Sequence, residues 1–221
     1  MAIMEKVVPP ERKEQDRARF LSLWKRIAPD SDPESIYQIL VSAYEDDSRK
    51  YHNLKHIQNC LDELSSVRQL CEDADAVETA LWFHDVVYDT DFSDNEEKSA
   101  DFAFEQLING GADIKFAQKV KDLILATKHN KKQTVIDFQL TVDIDLTSLA
   151  IPFDEFTRNT ELIGLEYGKI PPEKFKQGRV IFLKNMLPPV RERIYFSQYF
   201  FDKYETKARE NLKKSIEMLS K

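Results

Sequence analysis

The amino-acid sequence predicts an all-α protein, a bundle of roughly nine or ten helices. Three observations carry this expectation. Apolar residues recur at spacings of three and four through most of the chain, the period of a half-buried helix. Prolines and glycines fall mainly between these runs, where they punctuate rather than interrupt. The one stretch rich in β-branched residues, Thr134 to Ala150, has no neighbouring run that could serve as a partner strand, so it is read as helix too.

Taken in order, Pro9-Pro10-Glu11 opens a helix whose stripe is Phe20, Leu21, Leu23, Trp24 and Ile27 and which ends before Pro29. Asp32 caps the next, with Pro33 in the first turn where its missing N–H costs nothing, and the stripe Ile36, Ile39, Leu40, Ala43 fades at Tyr44 to Lys50. Asn53 caps a helix to about Cys71, built on Leu54, Ile57, Leu61, Leu64, Val67 and Leu70. Val77 to Tyr88 is apolar on every side and so predicts a central helix carrying His84 and Asp85. Ser93 or Asp94 starts a helix that Gly110-Gly111 stops, and Asp113 to Thr127 forms another. Pro152 to Tyr167, Pro171 to Leu187 and Tyr199 to Leu219 complete the set.

At 221 residues the chain is long enough for one good-sized core and short for two, and no Ser/Gly-rich or low-complexity run marks a linker. Its net charge of -7 argues against a nucleic-acid polymer as partner, since phosphate backbones are held by clustered Lys and Arg. A small anionic substrate remains compatible, because a bound divalent ion can outweigh the global sign. Cys60 and Cys71 lie about 16 Å apart along one helix axis, too far for a disulfide. Met1 to Pro10 lacks an extended apolar leader core, and nowhere do 18 apolar residues run together. A cytoplasmic protein with no membrane partner is the expectation.

All four histidines fall in three windows: Tyr51-His52-Asn53-Leu54-Lys55-His56-Ile57, Phe83-His84-Asp85-Val86-Val87-Tyr88-Asp89 and Ala126-Thr127-Lys128-His129-Asn130. Asp85 lies in the most apolar segment, where an ionised carboxylate must be paired, protonated or bound to a cation. A buried Asp–His hydrogen bond or a lysine or arginine partner would satisfy it as well as a metal. His52 and His56, four apart, would share one face of a helix, which on its own is equally an ordinary surface pair. Acidic residues in Asp143-Ile144-Asp145-Leu146 add further candidate ligands.

Together with Asp94-Asn95-Glu96-Glu97-Lys98-Ser99-Ala100 and Ala208-Arg209-Glu210-Asn211-Leu212, these windows resemble the HD superfamily of predicted metal-dependent phosphohydrolases, from Tyr51 to near the C-terminus. The resemblance implies one HD-type domain over residues 1–221, hydrolysis of a phosphate ester or anhydride of a nucleotide or related small metabolite, and a divalent metal held by His56, His84, Asp85 and Asp145. Mixed imidazole and carboxylate ligands suit Mn, Fe, Co, Ni or Zn, and Mg less well. Asp143 is the alternative last ligand; residues two apart on a helix point nearly opposite ways, so only one of the pair should face the metal. Tyr-His-Asn-x-x-His is also similar to cyclic-nucleotide phosphodiesterases, which makes His52 the proton donor to the leaving oxygen. Val86-Val87-Tyr88-Asp89 departs from the His-Pro-Gly stretch of those enzymes. A non-catalytic regulatory protein and a metal-dependent oxygenase of the same fold are the rival expectations.

Asp89, Glu96 and Glu97 follow the His-Asp pair. They either solvate a helix start or position water, and Glu97 is carried as a catalytic candidate. Lys128, His129 and Arg179 are candidates for holding the substrate's phosphate; a solvated helix end or a surface ion pair explains them equally simply. The aromatic run Tyr195 to Phe201 is read as core, with a homodimer contact as second choice.

Overall fold

Ten α-helices and two 3₁₀ turns, with no strand among the described residues, make up the architecture. The computed structural model describes residues 9–220, so the reading of Met1 to Pro10 falls, for residues 1–8, outside them. The helices are α1 (Pro10–Ile27), α2 (Pro33–Tyr44), α3 (Leu54–Val67), α4 (Ala74–Phe83), α5 (Asn95–Asn109), α6 (Ile114–Ala126), α7 (Ile136–Asp145), α8 (Phe153–Glu166), α9 (Pro172–Asn185) and α10 (Gln198–Leu219). The all-α bundle of nine or ten helices is what the sequence predicts. None of the described helices is long and apolar enough to cross a membrane.

Helix α4 is the centre. Every residue from Ala76 to Phe83 is buried, and α1, α3, α5, α6 and α7 all pack on it. Its apolar girth demands such a setting, because no face of it can be left to water. Phe20 and Trp24 of α1 lie against Trp82 and Phe83, at ring-centroid distances of 5.3 Å for Phe20–Trp82 and 5.7 Å for Trp24–Phe83. The Tyr44 hydroxyl, fully buried, donates to the Trp82 carbonyl at 2.9 Å. Of the aromatic tail, Tyr195 and Phe200 are fully buried in the same core while Tyr199 is exposed.

Two expectations about local structure need correction, and both concern the histidine windows. His84 and Asp85 do not lie within a helix running to Tyr88: α4 stops at Phe83 with His84 as its cap. Side chains from elsewhere take over the backbone groups that would have continued it. Arg49 donates to the carbonyls of Asp85 and Val86 and to that of His52, while Ser99 of α5 bonds both the N–H and the carbonyl of Val87. His52, for its part, is not on a helical face with His56. Asn53 caps α3, its side chain accepting from the Lys55 N–H at 3.0 Å, so His52 stands in the loop before it.

The C-terminal helix is pinned to the 3₁₀ turn Leu146–Ala150 that follows α7. Asn211, fully buried, donates to the carbonyls of Leu149 at 2.9 Å and Ile151 at 2.8 Å. Replacing it by Leu keeps the bulk but strands both acceptors, so Asn211→Leu is expected to lower unfolding stability by about 2–4 kcal/mol, read from urea midpoints. An unchanged midpoint would mean that α10 is held by apolar packing alone.

Candidate metal centre

Three chain segments deliver side chains to one point. His56 comes from the first turn of α3, His84 from the end of α4, and Asp145 from the last position of α7. One ligand atom from each lies within 4.8 Å of the others, as donors to a common ion should. His56 Nε2 is 3.2 Å from His84 Nε2 and 3.2 Å from Asp145 Oδ1, and His84 Nε2 is 3.5 Å from the same oxygen. Asp85 Oδ2 sits beside both rings, 3.2 Å from His84 Nε2 and 3.8 Å from His56 Nε2.

The tautomer of His84 follows from its other nitrogen. Nδ1 lies 2.9 Å from the Leu81 carbonyl, an obligate acceptor, so Nδ1 carries a proton and donates. In the neutral ring Nε2 then presents its lone pair to the cluster, which is how backbone carbonyls orient metal-binding imidazoles. Burial works to raise the Asp85 and Asp145 pKa values, but the surrounding imidazoles outweigh it: His84, His52 and His56 around Asp85, and His129, His56 and His84 around Asp145. Both carboxyls end below the usual carboxylate range. His84 answers them. Burial favours its neutral form, yet Asp85 and Asp145 lift its pKa well above the ordinary value. The centre therefore holds two anions that need positive charge, from protons on imidazole or from a cation.

Asp145 and Asp143 are divided by the helix as their spacing requires. Asp143 is fully buried on the opposite side, accepting from the N–H groups of Phe196 and Ser197, each at 2.7 Å. His129 reaches the other oxygen of Asp145, Nε2 to Oδ2 at 2.8 Å, and does so with φ at 55°. Its Nδ1 is buried without a partner. Cys60, one turn beyond His56, places Sγ 3.8 Å from His56 Nε2, and burial pushes its thiol up so that it stays protonated.

His52 stands next to this group, its ring centroid 6.1 Å from that of His56. A residue that sequence reasoning missed holds it there. Glu166, at the end of α8, accepts from His52 Nδ1 at 2.7 Å, from the backbone N–H of Tyr51 at 2.7 Å and of His52 at 2.9 Å, and from the Tyr88 hydroxyl at 3.2 Å. Its side chain is 1 % exposed. Tyr88 stacks on the His52 ring at 4.4 Å. One signal was available: a glutamate in the last turn of a helix opposes the macrodipole, and such a local conflict marks a position kept for another purpose.

Other candidates lie further out. Glu97 and Lys128 do not join the cluster; they pair with each other at 2.5 Å, with the Glu97 side chain 46 % exposed. Glu96 is the more enclosed of the two glutamates, its pKa raised by burial and further by Asp85 and Glu97. Asp89 is a loop anchor, its backbone N–H and carbonyl bonded by the Asn95 side chain at 3.0 and 2.9 Å. Arg179 of α9 lies over the Phe182 ring at 5.0 Å, near Tyr51, Tyr167 and Tyr88. Comparison with protein-family models, with curated proteins and with solved structures finds no match to the chain.

The Glu166 carboxyl titrates below its ordinary 4.5: burial raises it, but the bonds and charge of His52 and the two backbone N–H groups outweigh burial. A depressed folded-state value stabilises the fold above pH 4.5 and loses that contribution as pH falls through it. Glu166→Gln should therefore lower stability at pH 6 by about 1.5–3 kcal/mol, with the deficit shrinking on acidification below pH 4.5. Urea midpoints across that range test it; a deficit independent of pH would assign Glu166 no ionic role.

Proposed function

We propose that the chain is a metal-dependent phosphohydrolase of the HD type, hydrolysing a phosphate ester or anhydride of a nucleotide or related small metabolite. The observation that carries this reading is the juxtaposition of two units. A cluster of His56, His84 and Asp145, with Asp85 beside it, can hold a divalent ion, and a separate imidazole, His52, backed by a buried carboxylate, stands one ring's breadth away. The resemblance of the histidine windows to the HD superfamily supplies the reaction class.

When bound, a divalent ion supplies positive charge against the phosphoryl oxygens and lowers the pKa of a water. Two nitrogens and two carboxylate oxygens would suit Mn, Fe, Co, Ni or Zn. The protein's own contribution is proton management. Glu166 receives the Nδ1–H of His52 and so fixes the ring with Nε2 free to face the substrate. As the bond from phosphorus to the leaving oxygen breaks, the Nε2 proton passes to that oxygen, and Glu166 stabilises the charged ring from which it leaves. His129 braces Asp145 from the side away from His56 and His84. Lys128, tied to Glu97, belongs to the rim rather than to the phosphoryl site.

His84→Ala should lose both bound metal, measured by elemental analysis of protein purified without chelators, and hydrolysis of phosphomonoesters, phosphodiesters and nucleotides assayed with added Mn. Metal-free His84→Ala protein with full activity would sink the mechanism. His52→Asn should retain metal and lose roughly 10²- to 10⁴-fold in kcat, the usual worth of a positioned acid. Bound metal without turnover of any compound in the panel would return the chain to the regulatory reading.

A further inference from the structure

Nearly every part-buried arginine among the described residues has an acceptor. Arg12, Arg19 and Arg68 bind carboxylates, and Arg49 and Arg191 bind backbone carbonyls. Arg179 has none. Its Nε is sealed from solvent without a hydrogen-bond partner, and no carboxylate acts on its charge. The titratable groups close enough to act on it are Tyr51, Tyr167 and Tyr88, and one turn before it on α9 the Phe175 ring packs on that of Tyr167, the residue after Glu166, at 5.7 Å. None of their hydroxyls accepts from the guanidinium; Tyr51 donates to Ser148 at 2.6 Å and Tyr88 to Glu166 at 3.2 Å. The Phe182 ring face offsets only part of what burial takes from a guanidinium. In keeping with this, burial lowers the Arg179 pKa from its ordinary value.

The position is informative. Tyr51 and Tyr88 are the two rings that flank His52, at 4.8 and 4.4 Å. Helix α9 thus brings Arg179 to the His52 side of the centre. If His52 protonates the leaving oxygen, whatever lies beyond that oxygen approaches Arg179. Resting on the hydrolase reading for its orientation, we infer that Arg179 marks a subsite for a second anionic oxygen group, phosphoryl or carboxylate, carried by the leaving group of the substrate. The class of substrate is thereby narrowed to compounds with two separated negative groups. A phosphoanhydride fits, as does a phosphate ester whose alcohol is itself anionic. A planar fork of N–H donors matches either kind of oxygen pair.

The anion site can be tested apart from turnover. Full-length protein is stripped of metal on a chelating resin and melted with inorganic pyrophosphate or with malonate. At least one of the two should raise the melting temperature of the wild type, and the one that does identifies the kind of oxygen group accepted. Arg179→Met should abolish the shift and, without anion, melt no lower than the wild type, because a lone guanidinium has been removed. A shift that survives in Arg179→Met, or no shift with either anion in the wild type, overturns the subsite. Turnover of the Mn-loaded protein then reports on orientation. Arg179→Met should raise KM for pyrophosphate roughly 10- to 100-fold while leaving that for p-nitrophenyl phosphate unchanged, as loss of a charged hydrogen bond predicts. Equal losses on both would overturn the leaving-group placement. An Arg179-dependent melting shift with no turnover would instead reject the hydrolase reading and keep the anion site.

Discussion

Two carboxylates that must stay ionised in a half-enclosed site set the terms for the rest of this structure. Asp85 and Asp145 face the same imidazoles from the ends of two helices, and both are held below the usual carboxylate range. The backbone adds to their demand, since α4 ends at Phe83 and α7 at Asp145, so two helix C-termini bring partial negative charge to one place. His84 can meet part of that demand as an imidazolium. A divalent cation would meet it more fully, and would leave His84 neutral with the lone pair that its bond to Leu81 already points inward.

Holding those ends in register falls to polar side chains outside the cluster. Arg49 spends its guanidinium on the carbonyls of His52, Asp85 and Val86, joining the loop before α3 to the loop after α4. Its flat fork suits three acceptors from two segments better than a lysine would. Ser99 and Asn95 fasten the same loop to α5. Asp143 secures the far side of α7 to the chain entering α10, and burial pushes its carboxyl up to about 6 despite bonds from Ser197 and Phe196. Each of these groups would be costly if left unpaired, so each also penalises any alternative arrangement of the loops.

This division explains what could be read from the sequence. The helices were legible because periodicity is local, and the contrast between Asp143 and Asp145 was legible because a helix turns by a fixed angle per residue. The end of α4 was not. Apolar residues continue to Val87, and what stops the helix is Arg49 and Ser99, which come from distant segments. His52 is displaced from the expected helical face by the Asn53 cap, which starts the helix one residue beyond it. Glu166 lies 114 residues from the ring it holds, and no spacing rule spans that distance. The pairing of Glu97 with Lys128 reverses the usual inference from composition: charges close to a site in sequence can neutralise each other and leave it.

His129 joins these levels. A non-glycine residue at φ 55° is uncommon, although histidine adopts it more readily than most, and it carries strain of order 1 kcal/mol or more, which persists only where the surroundings impose it. Here the turn after α6 is held by the bond from the His129 N–H to the Ala126 carbonyl, and the left-handed backbone swings the imidazole toward α7. Its Nε2 then takes Asp145 Oδ2, which leaves Oδ1 as the oxygen aimed between His56 and His84. A carboxylate without that brace would be free to turn and pair both oxygens with the two imidazoles. Backbone strain at one residue thus orients the side chain of another, and the geometry of the candidate centre depends on a conformation that local propensity disfavours.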